Sequence, residues 1–281
     1  MDMKHTKSEY WTKTFSGISV PSLGFGTYQL EGDTCRRAVR EALEAGYRHV
    51  DTARMYGNEK EVGQALRDSR LPRDEIFLTS KIWMEHLRPQ DFLRETENAL
   101  EDLQTDALDL LLIHWPNPDV PLDETMDALN RAVEKGWARR GGVSNFPTDL
   151  LENARRLGSV FCDQVEYHPL LSQETLLTAC RRNGIMLTAY SPLGQGAVLK
   201  NQVIRDIAAA RGKTPAQIGL RWLIEQENVV AIPRSSSTEH LQANLDIFDF
   251  SLTPGERDAL NALPKNQRQI QPPFAPAWDP C

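Results

Sequence analysis

One unit recurs along the chain: an amphipathic helix, a glycine or short turn, a short apolar strand, and a polar residue where the strand ends. In the first copy a helix is expected from Asp33 to Ala45, with Ala38, Val39, Ala42 and Leu43 on one face. Gly46 suits the left-handed residue beyond a helix end, and Tyr47 to Val50 then leads to Asp51. The next helix is expected from Asn58 to Asp68. There Asn58 and Glu61 have capping spacing, and Val62, Ala65 and Leu66 share the apolar face. A strand from Ile76 to Ser80 follows and leads to Lys81. Helix Phe92–Leu103 precedes strand Leu108–Ile113, which ends at His114. Helix Thr125–Lys135 stops at Gly136, before a strand ending at Ser144 and Asn145. Helix Asp149–Leu157 stops at Gly158, before a strand near Cys162–Tyr167 that carries Gln164. Helix Glu174–Arg182 stops at Gly184, before Ile185–Ala189 and Tyr190. Helix Pro215–Glu225 precedes Val229–Ile232 and Arg234. With Leu23–Gly26 as the first strand, there are eight such units.

Strands and helices alternating at this length imply parallel strands joined by right-handed crossovers. Eight of them in 281 residues point to an α/β fold, a (β/α)8 TIM barrel that spans 1–281 as one domain. Residues 10–20 (Tyr10–Phe15, Ser16-Gly17, Ile18–Val20) read as an N-terminal β-hairpin closing the bottom of the barrel. Residues 264–281, rich in Pro and Gln, read as an ordered tail over its mouth. Such barrels carry their chemistry at the C-terminal ends of the strands. Asp51, Lys81, His114, Ser144, Asn145, Gln164, Tyr190 and Arg234 would therefore converge on one mouth.

Composition narrows the function. The net charge of −7 disfavours a nucleic-acid partner, which needs a positive field. No run of about 18 apolar residues suggests a membrane span, and Met1–Tyr10 lacks the apolar core of a signal peptide; the expected location is the cytoplasm. Cys35, Cys162, Cys180 and Cys281 form no CxxC pair, and no His cluster has metal spacing, so reduced thiols and no metal are expected.

Seven segments carry a resemblance to a known family. Asp51-Thr-Ala-Arg-Met-Tyr-Gly-Asn-Glu59 resembles the Asp-Thr-Ala-x-x-Tyr-x-Asn-Glu signature of aldo-keto reductases, and Thr79-Ser-Lys-Ile-Trp83 their lysine strand. Leu111-Leu-Ile-His-Trp-Pro116, Gly142-Val-Ser-Asn-Phe146, Gln164-Val-Glu-Tyr-His-Pro169, Ala189-Tyr-Ser-Pro-Leu-Gly194 and Ile232-Pro-Arg-Ser235 follow in the family's order. The resemblance implies a catalytic tetrad of Asp51, Tyr56, Lys81 and His114. Elementary chemistry agrees with it. Hydride delivery to a carbonyl leaves negative charge on oxygen, and an acid must protonate it. Tyr56 is the candidate, although a free tyrosine ionises near 10. An ammonium about 4 Å away contributes roughly 4 kcal/mol at an effective dielectric near 20, which would bring that value down by about three before offsets. Asp51 would keep Lys81 charged and aligned, and His114 would orient the carbonyl oxygen.

No Gly-x-Gly-x-x-Gly follows a strand, so a Rossmann site is not expected. By resemblance, Ser144, Asn145 and Gln164 would bind a nicotinamide carboxamide, and Tyr190 would stack on the ring. The loop carrying Ser191, Leu193 and Gln195 would line the pyrophosphate. Ser235-Ser-Ser-Thr-Glu-His240 is expected to open a helix, with a capping box at Ser236 and Glu239. With Arg234 it resembles a 2′-phosphate site, and Asn244 would lie near the adenine. The implied cofactor is NADP(H), preferred over NAD(H). Where the family often has Lys and Arg, this chain has Arg234 and His240, and a largely neutral His240 would weaken that preference.

Tyr28, Met55, Trp83, Trp115 and Trp278 suggest an aromatic slot for a small-molecule carbonyl substrate. A short rim at Asn117–Pro121 and Ala275-Pro-Ala-Trp-Asp279 are similar to bacterial 2,5-diketo-D-gluconic acid reductases. The family's default is a monomer. Two other readings stay open: a nucleotide-sensing subunit with little turnover, and a phosphate-binding barrel using Lys81 as a Schiff-base nucleophile.

Overall fold

The computed structural model describes residues 11–280. The expected hairpin start at Tyr10, the segment before it and Cys281 lie outside these residues. Strands β1 (Thr12–Phe15) and β2 (Ile18–Pro21) form the expected antiparallel hairpin. Ser16 and Gly17 both have positive φ (46° and 79°), as a two-residue turn matched to strand twist requires.

Eight parallel strands follow in chain order: β3 (Phe25–Gly26), β4 (His49–Asp51), β5 (Phe77–Ile82), β6 (Leu108–Ile113), β7 (Ala138–Ser144), β8 (Cys162–Glu166), β9 (Met186–Tyr190) and β10 (Val229–Ala231). The sheet closes on itself. Gly24 N donates to Ala231 O at 2.8 Å, Ala231 N to Ser22 O at 3.0 Å and Gly26 N to Pro233 O at 3.0 Å. The expected strand Leu23–Gly26 is thus shared: its first half pairs with β10 and only Phe25–Gly26 pairs with β4. The helices are α1 (Gly32–Ala45), α2 (Glu59–Asp68), α3 (Pro89–Leu103), α4 (Leu122–Glu134), α5 (Thr148–Leu157), α6 (Glu174–Asn183), α7 (Ala197–Lys200), α8 (Gln202–Arg211), α9 (Pro215–Ile224), α10 (Thr238–Leu245) and α11 (Pro254–Asn261). This is the (β/α)8 barrel that the repeating unit implies. None of the described helices is long and apolar enough to cross a membrane.

Strand alternation builds two apolar layers. Leu111, Ile113, Val143, Val165, Leu187 and Ala231 pack outward against the helices. Phe77, Leu110, Leu112, Cys162, Met186 and Val230 fill the barrel, and Phe15 and Val20 of the hairpin plug it from below. Lys13 anchors the plug: its Nζ donates to Gln226 O and, at 2.6 Å, to Val229 O.

Two local expectations are corrected. Asn58 precedes α2 but makes no capping bond. Its Oδ1 accepts from Thr52 Oγ1 at 2.8 Å, and its Nδ2 donates to Thr27 O and Leu30 O at 2.9 Å, so the amide stitches two loops instead. Helix α5 stops at Gly158 as expected; the backbone there is extended, and a Cβ would lie 2.5 Å from Asn130 Oδ1, the tip of a side chain that would have to shift. Helices α8 and α11 were not among the expected units. For α11 the signal was present, since Thr253 and Glu256 form a complete capping box.

Candidate active site

The inward positions that fill the barrel with apolar side chains lower down turn polar at its upper end. After Phe77 and Thr79 on β5 comes Lys81, after Leu110 and Leu112 on β6 comes His114, and after Cys162 on β8 comes Gln164. His49 on β4 precedes Asp51, and Thr188 on β9 precedes Tyr190. The period of two therefore delivers these groups to one place. A cleft of about 630 Å³ opens there, lined by Asp51, Tyr56, His114, Asn145, Gln164 and Tyr190 among others.

At its floor, Lys81 is fully buried. Its Nζ donates to Asp51 Oδ1 at 2.5 Å, to Thr52 O at 2.8 Å and to Tyr56 Oη at 3.3 Å. Burial pulls the ammonium below the usual lysine range, and the Asp51 carboxylate opposes this. The Tyr56 phenol is held well above the ordinary tyrosine value, first by burial and then by the Asp51 charge. This corrects the expected lowering by Lys81. The ammonium lies closer to Asp51 than to Tyr56, and desolvation of the phenolate outweighs its field. His114 packs edge-on to Tyr56 at 5.6 Å between ring centroids. Burial, followed by the Lys81 charge, keeps its imidazole well below the usual range and hence neutral. Its Nδ1 has no hydrogen-bond partner among the described residues.

The amide-rich wall forms a closed network. Ser144 Oγ donates to Gln164 O at 2.7 Å, and Asn145 Nδ2 donates to His114 O at 2.9 Å and Ser144 Oγ at 3.0 Å. Tyr190 Oη donates to Asn145 Oδ1 at 2.8 Å, which fixes the ring against the cleft. Gln164 Nε2 donates across the barrel to Asp51 Oδ2 at 2.7 Å. Ser144 is thus a support beneath the lining, whereas Asn145, Gln164 and Tyr190 are part of it. Ser191, Leu193 and Gln195, expected to line a pyrophosphate, line the cleft. Ser191, Gly194, Gln195 and Gly196 all have positive φ, and Gly194 N and Gly196 N fold the loop on itself by donating to Ser191 O at 2.8 Å and Leu193 O at 2.9 Å.

Arg234 lines the cleft, is exposed and makes no hydrogen bond or ion pair with the other described residues. Ser235, Ser236, His240 and Asn244 are not in the lining. The expected capping box at Ser236 and Glu239 is absent. Ser237 is the N-cap, accepting from His240 N at 3.5 Å, and Ser235 Oγ braces it by accepting from Ser237 N at 3.0 Å. Asn244 is buried beside the Tyr47 phenol.

Tyr28, Met55 and Trp115 line the cleft, while Trp83 and Trp278 stand behind it in an aromatic cluster. Sequence pattern alone missed the residue that joins Trp83 to Trp115. Phe274 meets Trp83 at 5.8 Å and Trp115 at 5.3 Å, both nearly edge-on. It also missed Ile270, which lines the cleft. The tail is tied down at both ends. Glu166 accepts Gln269 N at 2.8 Å and Ile270 N at 2.9 Å, and Asp279 Oδ2 accepts Thr148 N and Oγ1 at the start of α5. No group of His, Cys, Asp and Glu among the described residues could hold a metal ion.

Comparison with known proteins agrees with this architecture. The profile of the Aldo/keto reductase family matches residues 22–265. The chain is 39% identical over 268 residues to the methylglyoxal reductase DkgB of Salmonella typhimurium, covering 93% of this chain and all of that one. It is 40% identical over 259 residues to the glyoxal reductase of Bacillus subtilis, covering 91% and 93%. The crystal structure of a proposed 2,5-diketo-D-gluconic acid reductase B superposes with a TM-score of 0.93 at 41% identity, covering 96% and 97% of the two chains. The chain belongs to the Aldo/keto reductase family, oxidoreductases that reduce carbonyl compounds.

Proposed function

We propose that this chain reduces aldehydes and ketones, α-dicarbonyls and keto sugars among them, to alcohols, with NADPH preferred over NADH. The observation that carries the reading is the placement of Lys81 between Asp51 and Tyr56 at the floor of a cleft that a neutral His114 also lines. The names of the methylglyoxal and glyoxal reductases support the substrate class.

The residues around the cleft suit a nicotinamide dinucleotide. Tyr190 offers a flat ring, Gln164 and Asn145 offer amides, and the loop 191–196 lines the cleft beside them. Arg234 offers a charge that no described residue neutralises, which fits a 2′-phosphate and is the basis for preferring NADPH. When bound, the reduced nicotinamide supplies the hydride. Tyr56 holds its proton across the neutral range and gives it to the carbonyl oxygen. Lys81 then faces the phenolate that remains, and Asp51 holds Lys81 in place. His114, neutral and at the cleft wall, donates a hydrogen bond that orients the same oxygen. Trp115, Met55 and Tyr28 exclude water around the carbon being reduced. The chain acts as a single-domain monomer, the default state of the family it resembles.

A Schiff-base role for Lys81 is disfavoured, because its three protons already meet Asp51, Thr52 and Tyr56 in a fully buried position. The test is oxidation of NADPH and of NADH over a panel of methylglyoxal, a diketo sugar acid, an aromatic aldehyde and an aldose. NADPH consumption by the native chain supports the reading. Tight NADPH binding with no consumption across the panel replaces it with a nucleotide-sensing role.

A further inference from the structure

Glu59 joins the two elements that carry Tyr56 and Lys81. Its carboxylate is buried, with Oε1 accepting from Ser80 Oγ at 2.5 Å and Oε2 from Arg54 Nη1 at 2.6 Å. Ser80 directly precedes Lys81 on β5. Arg54 opens the three-residue turn that Tyr56 closes. By strand alternation Ser80 faces out of the barrel where Lys81 faces in. The tie therefore runs behind the wall, out of reach of any ligand in the cleft. Arg54 is gripped a second time from α3, where its Nε donates to Glu95 Oε2 at 3.1 Å and its Nη1 to Asp102 Oδ2 at 2.8 Å.

Burying a carboxylate against a half-buried guanidinium is a poor route to stability, because desolvation offsets most of their attraction. The arrangement has a clearer use in geometry. The Lys81–Tyr56 contact is 3.3 Å, at the long end of N–H···O bonds, so a shift of a few tenths of an ångström in the turn breaks it. Asn58, the neighbouring polar anchor, ties the loop to Thr52, Thr27 and Leu30 and leaves β5 untouched.

We propose that Glu59, with Arg54 and Ser80, is a positioning residue that fixes the Tyr56 turn against the Lys81 strand and so sets the distance across which the two act. The proposal deepens the carbonyl-reductase reading and rests on it. Other groups facing the phenol are Asp51, Tyr28 and His114, and none of them spans the turn and β5.

The test compares Glu59→Gln, which keeps size and removes the charge, with the native chain; Ser80→Ala is the milder second variant, cutting only the strand end of the tie. Two readouts are taken: steady-state reduction of methylglyoxal, and ultraviolet titration of the Tyr56 phenol against a Tyr56→Phe blank in each background. The expected result is a kcat loss of about tenfold to 100-fold, the scale of a small misplacement of reacting groups, with KM and NADPH affinity within about twofold of native. The phenol, farther from the Lys81 ammonium that favours its ionised form, titrates at higher pH, and the alkaline limit of reduction moves up with it. Ser80→Ala gives a smaller change in the same direction. A lower melting temperature with native kcat and native phenol titration in both variants overturns the proposal. If the native chain consumes no NADPH, the carbonyl-reductase reading falls, and the phenol titration alone still decides whether Glu59 positions Tyr56.

Discussion

Gln164 Nε2 sits 2.7 Å from Asp51 Oδ2, while the other oxygen of that carboxylate holds Lys81 at 2.5 Å. One buried carboxylate therefore joins the amide wall of the cleft to its acid–base floor. Gln164→Leu should disturb both. It removes a hydrogen bond to a charged, buried acceptor, about 1.5–3 kcal/mol of support for the Asp51 geometry. NADPH affinity, read by fluorescence titration, and kcat should fall together. A variant that loses affinity with unchanged kcat would show that Asp51 does not transmit the change.

Tyr56→Phe should keep NADPH binding and lose nearly all turnover, because phenylalanine fills the same space without a proton to give. The pH dependence follows from the direction in which the phenol is shifted. Since burial raises its ionisation well above the ordinary value of about 10, the acid form persists through neutral and mildly alkaline pH. Reduction should then be level from about pH 6 to 9. Alcohol oxidation, which needs the phenolate as base, should climb with pH over the same range. His114 stays neutral there, so it should add no acidic limb near 6.5. A reduction profile that halves between pH 7 and 8 would contradict this assignment.

Arg234→Ala tests the cofactor preference. The side chain lines the cleft and no described residue neutralises it, so its removal should cost NADPH the charge-assisted contact to a 2′-phosphate and leave NADH nearly unchanged. The expected loss is about 1.5–3 kcal/mol, roughly ten- to 150-fold in NADPH Kd. Equal weakening of both cofactors would remove Arg234 from the phosphate site. Because Ser236 and His240 lie outside the cleft lining, Ser236→Ala and His240→Ala should each change the NADPH Kd less than Arg234→Ala does.

The parts of this molecule that could be read from sequence are those that a period encodes. Lys81, His114 and Gln164 each fall at the inward, upper position of a strand whose apolar alternation is local, so counting by two places them. The bonds between those strands are another matter. Asp51 and Gln164 are 113 residues apart, and nothing in either segment names the other. Asn58 misled for the opposite reason: its spacing to Glu61 is that of a cap, but in a buried loop three unmet backbone and side-chain groups compete for the amide and win. Ile270 and Phe274 lie in a tail without periodicity, held by contacts to Glu166 and to Trp83 and Trp115 far back in the chain. The helix start near Ser236 was misplaced by one residue, because three consecutive serines offer three equivalent caps and only tertiary packing selects Ser237.

Lys13 gives a prediction about stability that is independent of the site. Its ammonium is largely buried in the hairpin plug against the carbonyls of Gln226 and Val229, and burial, aided by Arg221, lowers its pKa to about 7. In the unfolded chain the same group titrates near 10.4. Below about pH 7 both states carry the proton, and the folded state bears the full cost of burying it. Between about pH 7 and 10.4 the unfolded chain holds a proton that the folded chain has released, so stability from this group rises with pH. Above that window both are neutral and only the two hydrogen bonds remain. Lys13→Met removes the ionisation and the bonds together. The variant should therefore melt at or above the native temperature at pH 6.5, and below it at pH 9.5, where the lost bonds, about 0.5–1.5 kcal/mol each, are no longer offset. Thermal melts of the two chains at both pH values decide the matter. A difference in melting temperature that does not change between them would mean that Lys13 keeps an ordinary lysine pKa in the folded plug.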